Sequence, residues 1–178
     1  MANSEHIARI LEGSASWNRW RRDHSDVLPD LRVAHLRHAD LQGVDLSNAI
    51  LSIAILHGAN LRGANLRGAD LSSANMTEVV LQDADLRGAD LRGAKLNGGD
   101  LRGADFSDVD LRSGVLYKAD LAGANLSGAD LGSTLVYDAR NLTARQLCSA
   151  ASLWLTELDE RQDLVAQHCP HLLERPRA

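Results

Sequence analysis

Aromatic side chains are scarce in this 178-residue chain, where three Trp, two Tyr and one Phe make up 3% of the residues. Any core must therefore be aliphatic. Cysteine is nearly absent as well. Cys148 and Cys169 alone make neither a disulfide framework nor a zinc pattern, and reduced thiols are expected. No run of about 18 apolar residues occurs, and MANSEHIARILEG at the start holds no basic segment followed by an apolar one. The expectation is a cytoplasmic protein with no membrane partner. A basic excess is missing too: 19 Lys and Arg stand against 24 Asp and Glu, a net charge of −5 spread along the chain. A direct grip on nucleic-acid phosphates is disfavoured.

What the chain has is a repeat. Stepping by five from Leu31 to Val136, all 22 positions are apolar, 19 of them Leu, with Met76, Phe106 and Val136 as the exceptions. Two residues before each, from Ala34 to Thr134, stand 15 Ala, three Val, two Gly and one Thr. The residue just before each Leu is mostly Asp or Asn, and Gly is frequent two after it, as in Gly63, Gly68 and Gly93.

A helix advances about 100° per residue, so a five-residue step would smear the Leu around its axis. A flat strand would send successive Leu to opposite faces. The chain must instead turn once per pentapeptide, with Leu and the small residues facing a common interior and Gly, Asn and Asp supplying the bends. Tyr117 and Tyr137, like Val115 and Leu135, lie 20 residues apart, which fits four sides of five residues. Ala at the corners follows from crowding, because Leu there would overpack. Coils stacked at about 4.8 Å give about five coils and a rod roughly 25 Å long. A right-handed path is the default for parallel β crossovers.

The motif A(D/N)LxG, with ADLRG at 89–93, ANLRG at 64–68 and ANLSG at 124–128, closely resembles the pentapeptide-repeat family. That resemblance implies a right-handed quadrilateral β-helix, an all-β solenoid. The expected domains are an N-terminal capping helix over 1–30, the β-helix over 31–140, and a C-terminal helical cap or dimerisation segment over 141–178.

Such a rod needs caps at both ends. Ile7, Ile10, Leu11, Trp17 and Trp20 recur at helical spacing, and Pro29 closes the segment, which predicts one helix from Ser4 to about His24. Its Trp residues are expected to cover the first coil and the Arg residues of WNRWRR to face water. At the other end Thr143 with Gln146 forms a capping-box pattern ahead of Leu147, Ala150, Ala151 and Trp154, and a further helix is expected from about Glu157 to Gln167.

Catalytic chemistry finds little support. The glycines of GGDLRG at 98–103 fall on the repeat's own turns, and no helix follows to make a phosphate loop. His35 with His38, and His168 with Cys169 and His171, have no recognised metal spacing. The pairs Asp83/Asp85 and Asp108/Asp110 project from a convex surface where nothing would raise a pKa. No enzyme, cofactor or metal is expected.

Function then falls to the surface. Asp70, Asp90, Asp110 and Asp130 lie on one side of four successive coils, about 4.8 Å apart, each neighbouring pair repelling by roughly 1 kcal/mol in water. They are either turn chemistry neutralised by Arg92 and Arg112 or a phosphate-like row that binds a protein partner. One branch of the resembled family, the fluoroquinolone-resistance and antibiotic self-protection proteins, is similar to duplex DNA in shape and charge. It binds DNA gyrase or topoisomerase IV and dimerises through C-terminal ends. The resemblance implies such a partner, with a general protein-binding scaffold as the alternative. Arg at 32, 37, 62, 67, 87, 92, 102 and 112 and the absence of Phe-rich coils depart from that branch. A second candidate interface comprises Val115, Tyr117, Leu135, Tyr137 and Trp154. There the C-terminal helices fold back to cover an apolar stripe, or two chains meet as a homodimer.

Overall fold

The computed structural model describes residues 3–159 and 161–174. Helices α1 (Ser4–Leu11) and α2 (Ser14–Asp23) precede a long β-coil; α3 (Ala144–Cys148), α4 (Arg161–His168) and a 3₁₀ helix (Pro170–Leu173) follow it. From Asp30 with Ile50 to Asp120 with Arg140, every bridge is parallel and joins residues twenty apart. Four pentapeptides therefore make one turn of the coil, as the sequence spacing requires.

The backbone of one pentapeptide shows why the motif has its composition. The Asp90 N–H donates to Ala69 O of the preceding coil at 2.9 Å, Leu91 to Asp110 O of the following coil at 2.8 Å, and Gly93 to Arg112 O at 2.9 Å. Ala94 closes the corner on Leu91 O at 2.9 Å. Arg92 N–H, left over, donates to the Asp90 carboxylate at 3.0 Å. All five donors are satisfied, the fifth by the side chain before the Leu. Asp or Asn at that site is first a backbone device.

Each corner is a turn whose third residue has a positive φ, 66° at Gly93, the geometry in which Gly is favoured. Val33 and Ile53 hold the same position at 59°, where a β-branched side chain is strained. Inside the coil Leu91, Leu96, Ala94 and Phe106 are fully buried. Each side of the square contributes one Leu and one small residue to the interior, so the core is filled by aliphatic side chains from end to end.

The N-terminal cap is two helices, not one. Gly13, at φ 104°, interrupts the expected helix and turns α2 onto the first coil. Trp17 is fully buried and donates from Nε1 to Asp45 O at 2.7 Å. Asn18 both donates to Gly43 O and accepts from Asp45 N–H, each at 2.8 Å. Arg21, expected to face water, is instead buried, donating to Val27 O and Ser47 O at 3.0 Å. The first coil has no preceding coil to pair with, and α2 side chains take that role.

At the C-terminus the capping box of Thr143 and Gln146 is present, but α3 ends at Cys148 instead of running to Trp154. The coil then resumes: Asp130 bridges to Ser152 and Leu135 to Glu157, with Leu153 and Leu158 buried. Helix α4 starts at Arg161, later than expected, and Glu160 lies outside the described residues. Cys148 and Cys169 form a disulfide with Cα atoms 5.7 Å apart, which corrects the expectation of reduced thiols. Their separation of 21 residues is close to one coil, so α4 returns the chain to the same side of the rod. Among the described residues no helix is long and apolar enough to cross a membrane.

Candidate functional site

Parallel bridges join Asp70 to Asp90, Asp90 to Asp110 and Asp110 to Asp130, so the four carboxylates form one column along a single face. Arginine is threaded through it. Arg92 donates to both oxygens of Asp90, from Nε at 2.9 Å and from Nη2 at 2.5 Å, and its Nε lies 3.7 Å from Asp110 on the next coil. Arg112 binds Asp110 in the same way and reaches to within 3.6 Å of Asp130. Asp70 is held by Ser72, whose hydroxyl donates at 2.6 Å.

These contacts set the ionisation. The Arg92 hydrogen bonds hold the Asp90 carboxyl below its ordinary range, against the opposing effect of partial burial. For Asp110 partial burial pushes upward most strongly, yet the bonds from Arg112 outweigh it and the net shift is down. Both guanidinium groups are pushed up by the carboxylates they bind. From Asp90 to Asp130 the column is thus an alternating chain of charges with a repeat set by the coil, while Asp70 and Asp90 adjoin with no arginine between them.

A groove of ≈ 650 Å³ opens beside the upper end of this column, lined by Arg92, Arg112, Ser133, Gly132, Asp130 and Trp154 among others. Trp154 belongs here. The structure places it on the acidic face, while Val115, Leu135, Tyr117 and Tyr137 occupy the adjoining one. The two Tyr rings pack at 4.8 Å between centroids, with the Lys118 ammonium 4.8 Å from the centre of the Tyr117 ring. Tyr137 is 39% exposed and Leu155, at the corner between the two faces, 63%. Among the described residues α4 packs on α3 and the 3₁₀ helix.

Other candidates are dispersed. His38 and His57 meet edge-on at 5.1 Å, Cys169 is spent in the disulfide, and His168 Nδ1 lies 2.8 Å from Leu164 O. Among the described residues no group of three His, Cys, Asp or Glu is placed to hold a metal ion. Sequence reasoning missed Leu155, because the stretch after Thr143 reads as helix. The signal was present: Leu153 and Leu158 are again five apart.

Comparison with curated proteins finds no match. Among solved structures, a pentapeptide repeat protein of the Arabidopsis thaliana thylakoid lumen shares 30% identity over 66% of this chain and 79% of its own, with a TM-score of 0.56. HetL, a pentapeptide repeat protein involved in heterocyst differentiation regulation in the cyanobacterium Nostoc sp., shares 32% identity over 72% of this chain and 67% of its own, with a TM-score of 0.46. QnrB1, a plasmid-mediated fluoroquinolone resistance protein, shares 18% over 76% of this chain and 85% of its own, with a TM-score of 0.32. Pentapeptide repeats, in 8 copies, match residues 30–52, 54–93 and 84–121, and with the square coil and its buried Leu ladder the chain belongs to the pentapeptide-repeat family, whose members form right-handed quadrilateral β-helices.

Proposed function

We propose that the protein is a non-enzymatic binding module that engages another protein through the outer faces of its rod. One observation carries this: the Asp70–Asp130 column of stacked carboxylates, tied by Arg92 and Arg112 from Asp90 to Asp130 along one face. The interior is filled with Leu and Ala, so recognition falls to such outward rows. Side chains already held by hydrogen bonds lose little freedom on docking.

The most specific form of this reading is a DNA-like rod that docks on a type II topoisomerase, DNA gyrase or topoisomerase IV, and modulates it or protects it from inhibitors. Rod shape, acidic sign and stacked carboxylates support it. The charge density is lower than in DNA, which carries one charge per ≈ 1.7 Å of axis, against one carboxylate per ~4.8 Å here before Arg92 and Arg112 are counted. Contact geometry, more than a long-range field, would then give the affinity.

The test is supercoiling by purified gyrase, with and without a fluoroquinolone, as the protein is titrated. Inhibition or protection that weakens in Asp90→Asn/Asp110→Asn supports the reading, because Asn keeps the backbone hydrogen bond and removes only charge. No effect on either topoisomerase sinks the topoisomerase form and leaves a module for a different protein.

A further inference from the structure

The face next to the acidic column is complementary to itself. Along one row run Lys95, Val115, Leu135 and Glu157, joined coil to coil by parallel bridges from Lys95 to Val115 and from Leu135 to Glu157. A second row holds Tyr117 and Tyr137, a third Lys118 and Asp138, and the corner row Gly93, Ser113, Ser133 and Leu155. Lys95, Lys118, Asp138, Leu155 and Glu157 are all exposed. In three of these rows basic or small residues lie toward the N-terminal end and acidic or large ones toward the C-terminal end, while the Tyr117–Tyr137 row is the same at both positions.

We infer that this face binds a second copy of the chain, side by side and antiparallel. The two-fold axis lies in the plane of the face, perpendicular to the rod, between the coils of Val115 and Leu135. Rotation about such an axis keeps each row and reverses the order of coils. Val115 then meets the partner's Leu135, and Tyr117 meets the partner's Tyr137. Lys118 faces the partner's Asp138, Lys95 faces the partner's Glu157, and Leu155 sits over the partner's Gly93, where no side chain obstructs it.

Two features select this arrangement over others. A parallel pairing, with the axis along the rod, would bring Lys95 toward the partner's Lys95 and Glu157 toward the partner's Glu157, which like charges oppose. The apolar middle of the face also coincides with the axis, so the groups that gain most from leaving water lie at the centre and the charges at the rim. The pairing lies along the side of the rod, reaching its last coil through Leu155 and Glu157, and leaves the Asp70–Asp130 column free. It therefore stands apart from the identity of any other partner.

Four rungs at about 4.8 Å give an overlap of only ~19 Å, so the interface is at the small end and the dimer a reversible one. Sedimentation equilibrium from about 1 to about 500 µM at low salt covers the range expected for it. The wild-type chain should pass from monomer to dimer. Lys118→Glu and Asp138→Lys should each weaken association about tenfold or more, while the double variant, and a mixture of the two single variants, should regain it to within about threefold. Only opposition of position 118 to the partner's position 138 produces that rescue. All of these side chains are exposed, and circular dichroism of each variant verifies the fold. A chain that stays monomeric throughout overturns the inference, as does a dimer indifferent to charge reversal or one not rescued by the double exchange.

Discussion

Arg92 binds both oxygens of Asp90 within its own turn and stands 3.7 Å from Asp110 on the next coil. One side chain thus ties two coils whose carboxylates would otherwise repel. Asp90 has two duties, since its Oδ1 also accepts the Arg92 N–H that no backbone carbonyl reaches.

The two duties separate by substitution. Asp90→Asn keeps the backbone acceptor and removes the partly exposed ion pair, so thermal unfolding should move little. Asp90→Ala removes both and should cost about 1 kcal/mol, the size of a lost turn or cap hydrogen bond. Equal losses in the two variants would show that the charge, not the turn, is what matters.

The square coil was legible because its rule is local: one Leu inward every five residues, one small residue at each corner, one bend. The caps were legible only as amphipathic stretches. That α2 would supply edge partners through Trp17, Asn18 and Arg21 depends on which backbone groups of the first coil lack a neighbour, and this is a property of the stacked coil, not of WNRWRR. The disulfide escaped for a similar reason. Cys148 and Cys169 become neighbours only because α3 and α4 return the chain by about one coil. Likewise the Asp column could be placed from the spacing, but the reach of Arg92 and Arg112 to the next coil could not.

Ile53 carries a positive φ of 59° at a corner and is 59% exposed, so it gives the fold strain and little burial. Ile53→Gly should raise stability by about 1 kcal/mol, because the left-handed conformation costs an L side chain roughly 1–2 kcal/mol and Gly's greater unfolded freedom cancels part of the gain. Chemical denaturation reads this directly. A loss of stability would mean that the Ile53 side chain makes a contact worth more than the strain.

Leu91 and Ala94 test the interior in opposite directions, both being fully buried. Leu91→Ala should cost about 2–5 kcal/mol through lost burial and a cavity. Ala94→Leu should cost about 1–3 kcal/mol or more by overpacking the corner, where volume cannot be found without moving a coil. Urea midpoints at a constant slope decide both.

Acid should loosen the rod. Asp30, Asp85, Asp90, Asp100 and Asp110 all have carboxyls held below the ordinary value, Asp30 at about 2. A group whose folded pKa is depressed contributes stability that is fully present above its unfolded pKa, about 4, and lost as the pH falls through the folded one. Melting temperatures should hold steady down to about pH 5 and fall between about pH 4 and pH 2. Arg92→Gln with Arg112→Gln should flatten that fall, since the depression at Asp90 and Asp110 comes from those guanidinium groups. An unchanged profile would place the acid sensitivity elsewhere.

The Cys148–Cys169 bond closes a loop over 21 residues of sequence that includes the resumed coil and α4. Cross-linking a loop of that size stabilises by about 3 kcal/mol in the chain-entropy account. Reduction should therefore act on the C-terminal cap first, since the coil from Asp30 to Arg140 is held by its own bridges and buried Leu residues. With a reductant, or in Cys148→Ser/Cys169→Ser, limited proteolysis should cut within residues 155–174 while leaving a resistant fragment that retains the coil. Protection of Leu153 N–H, which donates to Leu172 O at 2.8 Å, should fall in hydrogen exchange, while that of Leu91 N–H should not. If both lose protection together, the cap and the coil unfold as one unit and the disulfide guards the whole rod.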